Sequence, residues 1–401
     1  MTINMKKTIM LILIVFSLFM IIGSVSAAEI TSSNFKKTIE DTSSGKTVTL
    51  KSGTEYSLNP DNVNITINKT ITIKSSSSSK NAIINLNGNG RAFEVRNGGD
   101  LTLINITLKN GNAYEGGAIY NYAGSVTLTG CTFTNNTATN GGAIFGFGDE
   151  NEDVGKIIKA TFTVKSCTFT NNIATGDGGA IYNLEFSILT VKSSTFTKNI
   201  ATRSGGAIYN DFSDITLTGC TFTKNKAGDD GGAIYNIGSS TILIACIFRE
   251  NTAYNGAAIY NGEYNKLNAK NCTFTKNTAK YGDYGGAIYK FKDSKLTLTG
   301  CTFDTTKKPD LKITKITRKG NYRYVFVKNI GKKSAGKNTL GVYIGKRLIK
   351  EVTVKGIAIG KTHKVRVFIP KKFRTGVKTF KVDIKNVVKE SNEKNNSFKA
   401  K

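Results

Sequence analysis

Short runs in which apolar and polar residues alternate recur through the middle of the chain. Residues 126–129 (VTLT) and 215–218 (ITLT) place an apolar side chain at every second position, which is the period of a β-strand with one buried face. Each run is too short to bury that face alone. The pattern therefore predicts short strands that are stabilised by stacking on copies of themselves.

Two repeated motifs set the spacing of these strands. The sequence GGAIYN, or a close variant, begins at residues 116, 141, 178, 205, 231, 256 and 285, so successive copies are 25, 37, 27, 26, 25 and 29 residues apart. A second motif, typified by CTFTNN, follows each copy, and an alternating run lies between them. Each repeat thus supplies three short strands. We predict an all-β chain in which residues 28–304 form a right-handed parallel β-helix.

Stacking should place equivalent residues of successive coils about 4.8 Å apart, which favours ladders of like residues. We predict that the Cys, Phe and Asn of the second motif point inward and form such ladders. The Asn is also expected to adopt a left-handed turn and to hydrogen-bond a turn amide. The predicted ladder residues are Cys131, Phe133, Asn136, Cys167, Phe169, Asn172, Phe196, Asn199, Cys220, Phe222, Asn225, Cys246, Phe248, Asn251, Cys272, Phe274 and Asn277.

The six cysteines occupy one position of the repeat, where Ser194 and Ile106 replace them in two other coils. Stacked Cβ atoms about 4.8 Å apart lie slightly beyond the range of a disulfide, roughly 3.5–4.5 Å. Buried free thiols are therefore expected. The chain has no CxxC pair and a single His, so neither a metal site nor a cofactor is expected.

Tyrosines recur on the opposite side of the first strand. An inward Ile119 directs Tyr120 outward, and the same alternation predicts an exposed aromatic row along seven coils. This row could contact sugar rings or a partner surface. Alternatively, the stacked rings only stabilise neighbouring coils. The row comprises Tyr120, Phe145, Tyr182, Tyr209, Tyr235, Tyr260 and Tyr289.

The first 27 residues have the features of a secretory signal peptide. Lys6 and Lys7 precede an apolar run of 14 residues, and small residues ending at Ala27 suit a cleavage site. A membrane-spanning helix needs about 20 apolar residues, so cleavage is expected rather than anchoring. No second apolar stretch follows, and no integral membrane segment is expected after cleavage.

The segment after the signal peptide is expected to begin the coil and to close its open end. Ser33 is predicted to be the N-cap of a short helix that buries Phe35 and Ile39 against the core. A cap is needed because the end of a β-helix is an unpaired strand edge, which promotes aggregation.

The 37-residue step contains an acidic insertion, FGDENEDVGKI. A loop that leaves one corner of the coil could carry a binding site. Alternatively, it is only a solvated acidic loop. Its acidic residues are Asp149, Glu150, Glu152 and Asp153.

β-Helices also occur in polysaccharide-degrading enzymes, whose active sites need clustered carboxylates. The acidic residues between the repeats adjoin the glycine corners and resemble turn residues, and His363 lies far away in another region. No catalytic residue is therefore predicted. The acidic residues concerned are Glu115, Asp177, Asp229, Asp230 and Asp283.

Residues 305–401 depart from the repeat. Longer alternating segments, YRYVFVKN, TLGVYIG, THKVRVFI and KTFKVDI, are separated by glycine-containing turns. This pattern predicts an antiparallel β-sandwich of immunoglobulin type.

Positive charge is concentrated in this last region. Residues 308–401 carry 27 Lys and Arg against 5 Asp and Glu, a net +22 of the +28 for the whole chain. An exported basic domain meets wall or surface polysaccharide before nucleic acid, so an acidic envelope polymer is the expected partner and nucleic acid is not. Alternatively, the charge serves solubility. The expected contacts lie in predicted turns and are Lys332, Lys333, Lys346, Arg347, Lys371, Lys372 and Arg374.

The paired GGAI and FxxN repeats resemble those of the polymorphic membrane proteins of chlamydia-type bacteria and of adhesin-like proteins of methanogenic archaea, whose fold is a pectin-lyase-like solenoid. The region from Pro309 onward resembles a CARDB domain, through PDL at 309–311, VKNIG at 327–331 and the ending ESNEKNN at 390–396. The resemblance does not extend to the C-terminal membrane barrel of the chlamydial proteins, so insertion in an outer membrane is not expected.

These resemblances imply a secreted or cell-surface, adhesin-like protein without catalytic activity. The expected partner is wall or surface polysaccharide, or the surface of another cell. A β-helical polysaccharide lyase or hydrolase and a purely structural envelope component are the alternatives.

Overall fold

The structure, a computed structural model, describes residues 29–151, 156–281, 286–303, 311–329, 331, 334–344, 347–370, 378–382 and 397–400. The predicted signal peptide lies outside the described residues. The described residues between 46 and 303 form a parallel β-helix, as the repeats predict. Three of its sheets contain ten, nine and ten strands, and a fourth contains seven.

The first two sheets carry the alternating run and the GGAI motif. Sheet I comprises Lys46–Leu50, Thr70–Ser75, Asp100–Ile104, Ser125–Thr129, Ala160–Lys165, Ser187–Lys192, Asp214–Thr218, Ser240–Ile244, Lys266–Lys270 and Lys295–Thr299. Sheet II comprises Ile65–Ile67, Phe93–Val95, Ile119–Tyr122, Ile144–Phe147, Ile181–Leu184, Ile208–Asp211, Ile234–Ile237, Ile259–Asn261 and Ile288–Lys290.

The other two sheets carry the second motif and the segment after it. Sheet III comprises Glu55–Ser57, Ala82–Asn85, Ile106–Lys109, Thr132–Thr134, Thr168–Thr170, Thr195–Thr197, Thr221–Thr223, Ile247–Arg249, Thr273–Thr275 and Thr302–Phe303. Sheet IV comprises Asn112–Glu115, Thr137–Asn140, Ile173–Ala174, Ile200–Ala201, Lys226–Ala227, Thr252–Asn255 and Thr278–Tyr281.

Sheet IV is a departure from the prediction of three strands per coil. Its segments are as short as two residues and lack a clear apolar alternation. Their backbone groups nevertheless pair with those of the neighbouring coil, because each coil places an extended segment directly beside an equivalent one. Backbone pairing, rather than side-chain pattern, therefore creates the fourth sheet.

The register stays constant across the long step between coils. Ile144 pairs with Ile181 although 37 residues separate them. The additional residues form an antiparallel hairpin of Asp149–Asn151 and Lys156–Ile158. The predicted acidic loop is thus a hairpin over its described part, and Glu152 and Asp153 lie outside the described residues.

The predicted phenylalanine ladder fills the core. The rings from Phe133 to Phe303 stack with centroids 4.7–4.9 Å apart and nearly parallel planes. The cysteines are free thiols, as predicted; five are buried and Cys301 is half-buried. Ser194 fits the same ladder because its Oγ accepts a hydrogen bond from the backbone N–H of Cys167 at 3.0 Å.

The asparagine ladder is also buried and is fully hydrogen-bonded. The side-chain NH₂ of Asn172 donates to the carbonyl of Phe133 at 3.1 Å and to Oδ1 of Asn199 at 2.9 Å. That oxygen also accepts the backbone N–H of Asn172 at 3.1 Å. The left-handed residue was predicted wrongly: it is the one before each ladder Asn, for example Asn135 with φ 54° or Lys224 with φ 56°.

Glycine occupies the corner that precedes the sheet II strands from Ile119–Tyr122 onward. Gly116 has φ +59°, and a Cβ there would clash with the carbonyl oxygen of Ile119. A Cβ on Gly117 would clash with the carbonyl oxygen of Gly142 in the next coil. The Gly pair therefore permits both the sharp corner and the close stacking of coils.

A short helix closes the N-terminal end of the coil, as predicted. Helix α1, Phe35–Asp41, buries Phe35 and Ile39 in the same core as the stacked coils. The predicted N-cap is wrong by one residue, since Asn34 occupies that position and makes no side-chain cap. A single 3-10 turn, Pro60–Asn62, follows in the first coil.

The C-terminal region forms two antiparallel sheets around a core of its own. Sheet V contains Leu311–Lys319, Tyr322–Asn329 and Thr362–Phe368 in that order. Sheet VI contains Arg347–Val354, Asn338–Ile344, Lys378–Lys381 and Ser397–Ala400 in that order. Its apolar core, which includes Val325, Leu340 and Phe380, is separate from that of the coil. This arrangement confirms the predicted immunoglobulin-like sandwich.

Candidate binding surfaces

The outer face of sheet II carries the predicted row of aromatic rings, which we call the tyrosine row (Tyr120, Phe145, Tyr182, Tyr209, Tyr235, Tyr260 and Tyr289). Each ring lies in register with the next, because each inward Ile is paired with the Ile of the next coil. The ring centroids are 4.6–5.4 Å apart and the planes lie within 16° of parallel.

The row is less exposed than the alternation predicts. All six tyrosines are half-buried, and Phe145 is only 3% exposed. Neighbouring rings cover each face, and the glycine corners crowd the ring stems: a Cβ on Gly141 would lie 3.1 Å from Cβ of Tyr182. The predicted exposure is therefore wrong for Phe145, and the tyrosines are only half-buried, because the neighbouring coil covers part of each ring.

This geometry restricts what the tyrosine row can contact. Burial raises the pKa of Tyr182, Tyr209 and Tyr235, and raises that of Tyr260 to about 12. The phenols are therefore neutral at physiological pH. Since the ring faces are stacked on one another, a ligand meets ring edges and hydroxyl groups rather than open π-faces.

A row of polar residues accompanies the tyrosines, one before each glycine pair. We call it the polar row; its described members are Glu115, Asn140, Asp177, Ser204, Asp230 and Asn255. Asp177 is 5% exposed, and its Oδ1 accepts a hydrogen bond from the backbone N–H of Ser204 at 2.9 Å. Asp230 accepts one from the side chain of Asn255 at 2.6 Å. These contacts link successive coils along the corner.

The carboxylates of the polar row are partly desolvated. Burial raises the pKa of Glu115, Asp177 and Asp230 above their ordinary values. These residues were predicted to lie in turns, but Glu115 ends a strand of sheet IV. Asp283 lies outside the described residues. Partial burial between coils explains the raised pKa values without a catalytic arrangement.

One end of the tyrosine row carries guanidinium groups. Arg91 and Arg96 lie over the ring of Tyr120, 5.0 and 4.9 Å from its centroid, and both pair with Glu94. This cluster was not predictable from the sequence, because it depends on the pairing of Glu94 with Tyr120 in sheet II.

Most of the predicted basic contacts of the C-terminal domain lie outside the described residues. These are Lys332, Lys333, Lys346, Lys371, Lys372 and Arg374. Arg347 is described and exposed, but it begins a strand of sheet VI and is not in a turn. Its backbone pairs with that of Ile344.

A second basic surface, which was not predicted from the sequence, lies on sheet V. Lys364 Nζ lies 4.5 Å from the ring centroid of Tyr324, and the Arg366 guanidinium lies 5.0 Å from that of Tyr322. The aromatic alternation of YRYVFVKN was visible in the sequence. The cations above the rings come from a strand about 40 residues away, which only the pairing register reveals.

Comparison with known families accounts for both regions. Residues 308–400 match the CARDB family. Residues 130–146, 166–184, 193–211, 219–237 and 271–290 match the Chlamydia polymorphic membrane protein repeat. The resemblances inferred from the sequence are thereby confirmed. No curated protein matches the chain significantly.

Two solved structures are similar to part of the chain. One is a domain of a protein described as a cell surface protein of Methanosarcina acetivorans, with 22% identity over 23% of this chain and 89% of that domain, at a TM-score of 0.22. The other is the CARDB domain of a Pyrococcus furiosus protein in complex with di-metal ions, with 26% identity over 24% of this chain and 94% of that one, at a TM-score of 0.19.

No helix among the described residues is long and apolar enough to cross a membrane. The chain thus contains repeats of the Chlamydia polymorphic membrane protein type, followed by a C-terminal region that matches the CARDB family.

Proposed function

We propose that the protein is an exported, non-catalytic, adhesin-like protein that binds an acidic envelope polymer through its C-terminal domain. The coil acts as a rigid body that presents the tyrosine row and the polar row to a glycan or to another cell. The uneven distribution of charge carries this proposal. Residues 308–401 hold +22 of the net charge of +28.

The described surface of the C-terminal domain supports an electrostatic role. Glu351 is the single carboxylate among its described residues, whereas cations occur on both sheets. Such a domain attracts polyanions over long distances. The coil, by contrast, carries acidic and basic residues in similar numbers.

The carboxylates of the coil support a non-catalytic role. Asp177 and Asp230 already accept hydrogen bonds from groups in the adjacent coil. A general acid or base must instead reach a bound substrate. His363 lies on sheet V of the other domain, in Thr362–Phe368.

A salt titration of envelope binding tests this proposal. The mature chain should bind isolated envelope at about 0.01 M salt and dissociate as salt approaches about 1 M, because the screening length falls from about 30 Å to about 3 Å. A soluble acidic polysaccharide should compete for binding, whereas a neutral one should not. Salt-independent binding, or turnover of either polysaccharide, would contradict the proposal.

A further inference from the structure

Sheet V presents two chemically different faces. Val325, Val327, Val365 and Val367 are buried in the core of the C-terminal domain. Their neighbours along the same strands therefore point to the outer face, since side chains alternate along a strand. These neighbours are exposed or half-buried.

The pairing register places the outer residues in four rows of three. Directly opposite residues of antiparallel strands share a face. The rows are Lys312, Lys328 and Thr362; Lys315, Phe326 and Lys364; Thr317, Tyr324 and Arg366; and Lys319, Tyr322 and Phe368.

The composition of this outer face is strongly biased. The twelve positions hold six cations, four aromatic rings and two threonines, and none of them is acidic. Phe368 is 43% exposed, although aromatic residues are usually more buried. A soluble surface normally mixes both signs of charge. The absence of carboxylates over three neighbouring strands therefore requires an explanation beyond solubility.

Two of the cations are held in place by the rings. Lys364 lies between Tyr324 and Phe326, with Nζ 4.5 and 5.7 Å from their centroids. Arg366 lies 5.0 Å from the centroid of Tyr322. These cation–π contacts already restrict the Lys364 and Arg366 side chains. Binding an anion therefore costs less side-chain conformational entropy.

We infer that the outer face of sheet V is the site that binds an acidic polysaccharide, with Lys364 and Arg366 pairing with its carboxylate or sulfate groups. This inference rests on the proposed function and assigns the attachment to a particular surface. On this outer face, neighbouring positions lie about 5 Å apart across strands and about 7 Å apart along a strand, and these are the spacings between adjacent cations. The Arg366 guanidinium can bind a carboxylate through two parallel hydrogen bonds.

A nucleic acid is the less suitable polyanion for this face. Single-stranded nucleic acids bind such platforms by stacking bases on open aromatic faces. Here Lys364 and Arg366 lie over the rings of Tyr324 and Tyr322. At Tyr322 and Tyr324 the face therefore offers charge above the rings, and Phe368 is the exposed aromatic ring of this face.

Two double variants of the full mature chain test the inference with polygalacturonate as the probe. Lys364→Ser with Arg366→Ser should weaken binding about tenfold or more, because it removes the two ring-held cations. Lys350→Ser with Lys355→Ser removes the same charge from exposed positions elsewhere in the domain. This control should weaken binding about threefold or less. Equal losses in the two variants would overturn the inference in favour of net charge alone.

Further measurements separate the remaining outcomes. Unchanged melting of the C-terminal domain shows that a variant is folded. Tyr324→Leu is a second test: it retains the charge but removes the ring under Lys364, and it should also weaken binding. Tighter binding of oligo(dT) than of polygalacturonate by the unmodified chain would overturn the choice of ligand. If the Lys364→Ser, Arg366→Ser variant binds isolated envelope normally, the assignment of binding to sheet V is wrong, although the proposed binding of the protein to the envelope is not contradicted. If the unmodified chain ignores envelope, the proposed function fails.

Discussion

Phe222 shows how strictly a single ladder position restricts residue choice. Its side chain is fully buried, and its ring lies 4.7 and 4.9 Å from the rings of Phe196 and Phe248. In an earlier coil the same position is occupied by Leu108, which pairs with Phe133. The position therefore requires a large apolar side chain but not an aromatic one.

Phe222→Asp should unfold or aggregate the coil. It would bury an unpaired carboxylate between two rings, at a cost of several kcal/mol. Phe222→Leu is the matched control and should melt only slightly below the unmodified chain. Circular dichroism and thermal melting compare the two. A Phe222→Asp chain that melts normally would show that the inward register is wrong.

Asp177 shows how burial of one carboxylate links stability to pH. Burial raises its pKa above the ordinary value of 3.8, although the hydrogen bond from Ser204 lowers it in part. The folded state therefore binds this proton more tightly than the unfolded state. The resulting stabilisation is fully present below pH 3.8 and is lost as the pH rises through the folded-state pKa. Asn140 and Asn255 show that an amide fits the same row.

Asp177→Asn should therefore stabilise the coil at pH 7 and not at pH 3. The amide retains the acceptor for Ser204 but removes the desolvated charge. The melting temperature should rise by about 1–3 °C at pH 7, with no gain below the ordinary aspartate pKa. Asp214→Asn, at an exposed position of sheet I, is the control and should change little at either pH. A lower melting temperature at pH 7 would contradict this account.

The tyrosine row combines two possible roles within one element. Each stacked pair contributes about 0.5–1.5 kcal/mol beyond its burial, so the row stabilises the coil whether or not it binds anything. The hydroxyl groups add nothing to stacking, since Phe145 occupies the same row. Removing only the hydroxyls therefore separates binding from stability.

A triple change of Tyr182, Tyr209 and Tyr235 to Phe should leave the melting temperature nearly unchanged and weaken binding to a target surface. The same change to Ser should lower both, because the stacked rings are lost. Melting and cell-binding assays compare the two variants with the unmodified chain. Normal binding by the Phe variant would assign the row a structural role alone.

The strands and ladders were predictable from the sequence where the pattern that specifies them lies within a few neighbouring residues. Alternation placed Ile119 inward and Tyr120 outward, and the recurring Cys and Phe placed the ladders. Half-burial of the tyrosines was not predictable, because it arises from the glycine corner of a neighbouring coil. The strand Thr137–Asn140 gave no apolar signal, since backbone pairing alone forms it. The sheet V face required the register of strands that are distant in sequence.

At the scale of the whole molecule, the described residues form two separate apolar cores. The coil core extends from Phe35 to Ile288, and the C-terminal core extends from Leu311 to Val382. Stacked coils share one continuous core and should unfold together. A separate core can unfold independently.

Calorimetry should consequently resolve two unfolding transitions. Phe222→Leu should lower the larger transition alone, and Val325→Ala should lower the smaller one alone, because each side chain contacts only its own core. The Val325 change should cost about 1–3 kcal/mol. A single transition that both variants shift equally would show that the two cores unfold as one unit.

The in-register ladders also determine how the length of the coil can change during evolution. Removing residues 205–230 would join Ser204 to Gly231, and each residue of the lost coil would be replaced by its counterpart in the next. Asn199 would then meet Asn251, and Phe196 would meet Phe248, in the same contacts as before. Recombination between repeats can thus shorten or lengthen the protein by whole coils. Each event would change its reach by about 4.8 Å and preserve the ladder contacts between neighbouring coils.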